Sequence, residues 1–186
     1  MKKRRVFIAI NLPEDIKGSL VVYQKKWPEI PVRWTKPENL HITLDFIGYI
    51  RDEELVEICK KTKEVVSRHS SFKIKLSKIC YGPIDKKPPR MIWVVGEKSR
   101  EFFSLKEGFD KVLGISENRK FFPHITLGRI RKWEWQRIDP EDRPIIDESI
   151  DLGFFVNSIE VMESTLKRGG AEYTTLEFFN LSQIKH

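Results

Sequence analysis

An α+β fold with antiparallel sheets, in which each half of the chain contributes one motif strand, is what this sequence predicts, and three observations carry it. First, one tetrapeptide occurs twice, as His41-Ile42-Thr43-Leu44 and as His124-Ile125-Thr126-Leu127, almost half the 186-residue chain apart. Second, the stretches around each copy run in a similar order, as strand, helix and motif strand, which reads as a duplicated mixed unit. Third, hairpin-like strands are grouped rather than alternating regularly with helices, and no GxGxxG, P-loop or nucleophile elbow marks a parallel nucleotide-binding sheet.

The elements follow in order. Residues 6–10, Val-Phe-Ile-Ala-Ile, are a buried strand. Asn11 to Asp15, with Pro13 and two acids, starts a helix whose stripe is Ile16, Leu20, Tyr23 and Trp27, ended by Pro28 and Pro31. Residues 32–35 are a short extended piece, 36–39 a turn, and 40–47 the first motif strand. Residues 51–69 form a helix with Leu55, Ile58, Cys59, Thr62, Val65 and Val66 on one face. Phe72, Ile74 and Leu76 alternate with lysines as a half-exposed strand running on towards Tyr81. A proline- and lysine-rich loop over 82–89 leads to a buried strand over 90–95. Phe102, Leu105, Phe109, Val112 and Leu113 mark a helix that stops at Gly114. A polar loop over 116–120 precedes the second motif strand. Residues 133–149 fit no pattern, and 154–162 and 173–181 read as two last strands around Gly169-Gly170.

Composition sets the limits. The length suits a single domain over 1–186, built of two lobes that each contribute one motif. Hydrophobic residues at 40% supply a core and argue against disorder. No run approaches the roughly 20 apolar residues that span a bilayer. The basic start, Lys2-Lys3-Arg4-Arg5, precedes an apolar run too short for a signal segment. Cys59 and Cys80 have no metal or disulfide spacing, so they read as reduced thiols of a cytoplasmic protein. A net charge of +7 favours a polyanionic partner.

The repeated tetrapeptide carries the chemistry. Strand side chains alternate between faces, so His41 and Thr43 share one face while Ile42 and Leu44 share the other. The same holds for His124 and Thr126. Only four histidines exist, and two of them head the same motif, so two buried structural imidazoles are the less economical reading. Two imidazoles near neutral pH can hold opposite protonation states, one taking a proton and one giving it. Threonine hydroxyls one pleat along can donate to an anionic oxygen. Arg129 would add charge, although an unbroken strand would turn it away from His124; Gly128 or a bulge is needed to re-aim it. Asp45 extends the first face to His-x-Thr-x-Asp, but the second copy has no matching acid, which weakens a metal site. No cofactor is implied.

The sequence resembles the 2H phosphoesterases, and within them the LigT-like RNA 2′,3′-cyclic phosphodiesterases, also called 2′-5′ RNA ligases. The resemblance rests on Arg5 to Pro13, on Arg33-Trp34, on Glu38 to Gly48, on Pro89 to Trp93, on Phe122 to Arg129, on Ser164-Thr165-Leu166 and on Gly170 to Tyr173. It implies two antiparallel lobes with outer helices facing across a cleft. It implies metal-independent hydrolysis of an RNA 2′,3′-cyclic phosphate, tRNA fragments included, to a 2′-phosphomonoester, with 2′-5′ ligation as the reverse. His41 would be the proton donor, His124 the proton acceptor, and Thr43, Thr126 and Arg129 the phosphate ligands. Phe7, Phe122 and Trp34 are candidates for base stacking, weighed against ordinary burial. A monomer away from membranes is expected. The alternatives are another cyclic or 2′-5′-linked nucleotide as substrate, or an RNA-binding module without turnover.

Overall fold

Both tetrapeptides open strands, and the two strands are neighbours in the middle of one sheet. The computed structural model describes residues 3–84, 86–114, 122–168 and 170–183. Its elements are β1 (Arg4–Asn11), α1 (Glu14–Gln24), β2 (Val32–Trp34), β3 (His41–Ile50), α2 (Asp52–Val66), β4 (Phe72–Gly82), β5 (Met91–Gly96), α3 (Arg100–Leu113), β6 (His124–Ile130), α4 (Lys132–Gln136), β7 (Asp147–Val156), β8 (Ser158–Lys167) and β9 (Gly170–Asn180). Short 3-10 turns at Pro37–Asn39 and Pro140–Asp142 complete the described fold. The polar loop expected over 116–120 lies outside the described residues.

The sheet runs β7-β4-β5-β6-β3-β1-β8-β9, with β2 attached to β6, and all of these pairings are antiparallel. Leaving β2 aside, four strands stand on each side of the β3–β6 seam. Each set mixes the two halves of the chain, since β4 joins β5 and β8 joins β1. The seam itself is narrow: Ile42 opposite Ile125 is its single registered pair. Beyond that pair β3 and β6 part, and β2 takes the place of β3 beside Gly128, Arg129 and Ile130. The sheet also curls. Asn39, at the entry to β3, donates from Nδ2 to the Ala171 carbonyl of β9 at 2.8 Å, although β1 and β8 lie between the two strands.

The alternation of the sequence explains the two faces. Ile42, Leu44, Ile125 and Leu127 are buried with Val6, Ile8 and Ile10 in the main core, under helices α2 and α3. Burying such a side chain contributes about 1.5–3 kcal/mol, which fixes the register of both motif strands. A one-residue slip would put the imidazoles into that core. The opposite face of β1 carries Phe7 and Ala9, which make a small separate cluster with Met162 and Tyr173.

Three expectations need correction. α1 ends at Gln24 rather than near Trp27, because Lys25 N–H and Lys26 N–H bond three residues back, to Val22 and Tyr23, and the turn tightens. Gln24 then caps the neighbouring chain, donating to the Thr35 and Leu127 carbonyls at 2.8 and 3.2 Å. The illegible 133–149 stretch holds α4, which buries Trp135 against Tyr81 under Arg143, and the start of β7. The single strand read over 154–162 is two, β7 and β8, turning at Asn157. The helix stop at Gly114 is as expected, in the left-handed region with φ 67°.

Candidate active site

Register alone assembles the four motif side chains. With Ile42 opposite Ile125, antiparallel counting sets His41 across from Thr126 and Thr43 across from His124. A local two-fold axis through the isoleucine pair relates the two motifs. The imidazoles occupy one diagonal of the quartet and the threonines the other.

The imidazoles are oriented in the same way. His41 Nδ1 lies 2.7 Å from the Asn39 carbonyl, and His124 Nδ1 lies 2.9 Å from the Phe122 carbonyl. A carbonyl can only accept, so each Nδ1 carries its hydrogen and each Nε2 is left for chemistry. His41 Nε2 sits 2.9 Å from Thr43 Oγ1. The second motif backbone is pinned by Thr35, whose hydroxyl donates to the Thr126 carbonyl at 2.8 Å.

Both strands are bulged at the same place. β1 pairs Ala9 with Thr43 and Ile8 with Asp45, leaving Leu44 as the extra residue. β5 pairs Trp93 with Thr126 and Ile92 with Gly128, leaving Leu127 extra. A bulge inverts the faces beyond it. Asp45 is thereby turned away from His41 into the core, where Lys106 of α3 donates to it at 2.9 Å. The expected extension of the first face to Asp45 is therefore corrected. Phe46 and Arg129 take the cleft face instead, at equivalent positions of the two motifs. Phe46 is 67% exposed, and the Arg129 guanidinium lies 3.4 Å from Met91 Sδ. Among the described residues no group of three His, Cys, Asp or Glu side chains is placed to hold a metal.

The surroundings differ between the imidazoles. His41 meets Phe7 at 5.1 Å and the Tyr173 ring edge-on at 5.0 Å. His124 has Trp93 stacked on it, with centroids 4.0 Å apart and planes 29° from parallel. Burial, then the neighbouring His124 and Arg129, push His41 down to about 4 against the pull of the Asn39 carbonyl. Burial also lowers His124, again against its own backbone carbonyl. Burial thus biases both rings towards the neutral form.

The stacking candidates are placed differently from one another. Phe7 is 2% exposed, wedged among His41, Phe46 and Tyr173, so it is a wall of the site and no platform for a base. Phe122 is half-buried and contributes its carbonyl. Trp34 is half-buried and lines a small pocket beside the site with Arg33, Lys36, Arg129 and Tyr173. Gly128 is required there, since a Cβ at that position would overlap Val32 and lie 2.8 Å from the Trp34 ring. Sequence reading did not single out Trp93, Tyr173, Phe46 or Asn39 as site residues. No local pattern marks the first two, because the fold alone brings them to the imidazoles. Phe46 shares the +5 position with Arg129, a signal legible once the two motifs are aligned.

Paired imidazoles with unprotonated Nε2 atoms, paired hydroxyls and an arginine on one face are suited to one class of chemistry: acid–base attack on an anionic ester. Comparison with known proteins agrees with that class. Residues 10–93 match the model of the LigT like Phosphoesterase family. An RNA 2′,3′-cyclic phosphodiesterase of Methanocaldococcus jannaschii is 30% identical over 93% of this chain and 98% of its own. One from Aquifex aeolicus is 30% identical over 97% and 99%. A Thermus thermophilus crystal structure superposes with a TM-score of 0.82 at 28% identity, covering 97% of this chain and all of that one. Escherichia coli LigT complexed with 3′-AMP shares the fold, with a TM-score of 0.79 at 23% identity over 98% of this chain. The chain belongs to the LigT-like phosphoesterases, in the group of RNA 2′,3′-cyclic phosphodiesterases.

Proposed function

We propose that this protein hydrolyses the 2′,3′-cyclic phosphate at an RNA end to a 2′-phosphomonoester by two-histidine acid–base catalysis. The observation that carries the reading is the diagonal placement of the imidazoles. Displacement at phosphorus brings the nucleophile in opposite the leaving oxygen, so base and acid must flank the phosphate from opposite sides. His124 Nε2 takes a proton from water as its oxygen bonds to phosphorus. The P–O3′ bond breaks, and His41 Nε2 gives a proton to the departing O3′. Thr43 and Thr126 donate to the non-bridging oxygens, and Arg129 balances the added negative charge.

His41 is neutral without substrate, yet this role requires it charged. A bound phosphate supplies the missing partner. Its negative charge offsets Arg129 and raises the proton affinity of the ring, so substrate binding arms the acid. The exposed Phe46 ring, rather than Phe7, offers a face to the terminal base. The relatives named RNA 2′,3′-cyclic phosphodiesterase support the substrate class. The test is hydrolysis of nucleoside 2′,3′-cyclic monophosphates and of short RNAs ending in a cyclic phosphate, with EDTA present. The expected product is the 2′-phosphate. A 3′-phosphate product, or dependence on an added metal, would overturn the mechanism.

A further inference from the structure

The local two-fold axis that relates the motifs does not extend to the strands that flank them. Ala9 of β1 stands opposite Thr43, and Trp93 of β5 stands opposite Thr126. In the first motif the small residue leaves room for Phe7 and Tyr173 to approach His41 tilted and edge-on. In the second the indole reaches over and lies flat on His124, at 4.0 Å and 29°. Room for the indole is made on the next strand. A Cβ at Gly82 of β4 would overlap the Trp93 ring system. Trp93 Nε1 is buried without a hydrogen-bond partner among the described residues, so no polar contact of its own anchors the indole there. A lone buried donor costs stability, and it accompanies an indole face directed at an imidazole.

Resting on the acid–base reading above, we propose that Trp93 is a positioning residue that clamps the His124 ring and stabilises its protonated form, making His124 the imidazole that receives the proton. Two restraints then act on His124. The Phe122 carbonyl fixes Nδ1–H, and the indole blocks rotation of the ring, so Nε2 keeps one direction. Once Nε2 is protonated the ring is a cation over an indole face, the most favourable aromatic for that contact. Among the described residues, His41 from β3 is the titratable group that couples to His124, and it cannot do this, because two protonated rings repel each other. Among the described residues no ring is stacked flat on His41, which leaves its proton easier to give up. The clamp thus orders a pair of motifs that are identical in sequence.

The test compares Trp93→Leu, Trp93→Phe and Gly82→Ala in the intact protein, with folding checked by thermal unfolding. Two readouts are used: the His124 titration followed by NMR, and kcat and KM for a nucleoside 2′,3′-cyclic monophosphate. Trp93→Leu is expected to lower the His124 midpoint by roughly half a pH unit. It should also cut kcat about tenfold with KM little changed. Trp93→Phe keeps a flat ring and should retain most of both. Gly82→Ala, which displaces the indole from a different strand, should resemble Trp93→Leu. An unchanged His124 midpoint in Trp93→Leu, or a Trp93→Phe as damaged as Trp93→Leu, overturns the clamp. The titration needs no turnover, so it judges the clamp even if the wild-type protein fails to hydrolyse the substrate, which would overturn the functional reading instead.

Discussion

The strands β3 and β6 begin with the same four residues, carry the same bulge and fix their histidines with the same backbone bond, yet they build unlike halves of one site. After the bulge the first turns an acid inward and a phenylalanine outward, as Asp45 and Phe46. The second has Gly128 and Arg129 at those positions. Identical motifs set the imidazoles on a diagonal, and the residues just beyond them make the two sides differ: an aromatic side with Phe46 and a charged side with Arg129. Equal sequence in the two motifs does not imply equal surroundings, because their neighbours come from other strands.

The sharpest way to break this comparison is to remove one imidazole at a time. His41→Ala and His124→Ala are each expected to lower kcat by about 10²–10⁴-fold, with the double variant little worse than either single one. An unchanged rate in either variant would show that one motif suffices. Arg129→Gln comes next. It removes charge-assisted contacts worth about 1.5–3 kcal/mol, so kcat/KM should fall roughly ten- to a hundredfold. The same variant should raise the His41 midpoint, since Arg129 is one of the groups that depress it. An NMR titration in which that midpoint stays put would remove Arg129 from the His41 side of the site.

Phe46→Ala and Phe7→Ala separate platform from wall. Loss of the exposed ring should raise KM by an amount equivalent to about 1–3 kcal/mol of base stacking while leaving the melting temperature nearly unchanged. Loss of Phe7 should instead cost about 3–5 kcal/mol of stability. If Phe46→Ala leaves KM as it was, the base lies elsewhere. The smallest effect concerns pH and stability. His41 in the folded protein titrates at about 4 instead of the ordinary 6.5. Below pH 6.5 the unfolded chain therefore binds a proton that the folded chain refuses. Stability should decline from pH 6.5 towards 4, and His41→Gln should flatten that slope. An unaltered slope in the variant would show that His41 is not the group refusing the proton.

Much of the fold was legible because its strands either alternate or are short, wholly apolar runs. The runs around Ile8, Ile42, Ile74, Val94 and Ile125 placed five strands, and amphipathic stripes placed α2 and α3. The segment over 133–149 was not legible, since α4 is five residues long and held by Trp135 packing on Tyr81 rather than by any period of its own. The hairpin over β8 and β9 was partly legible, but nothing local says that it curls back so that Ala171 meets Asn39 and Tyr173 meets His41.

What the sequence by itself determined is which side chains share a face. Period-2 alternation makes His and Thr neighbours on any strand that buries Ile and Leu, and this holds whatever the strand packs against. What only the tertiary structure decided is how the two faces meet and what surrounds each ring. The Ile42–Ile125 pairing sets the imidazoles on a diagonal, the shared bulges turn Arg129 to the cleft and Asp45 into the core, and the fold brings Trp93 and Tyr173 to different histidines. Those outcomes depend on register between strands far apart in the chain, and register is fixed by burial of the whole sheet rather than by any short stretch of it.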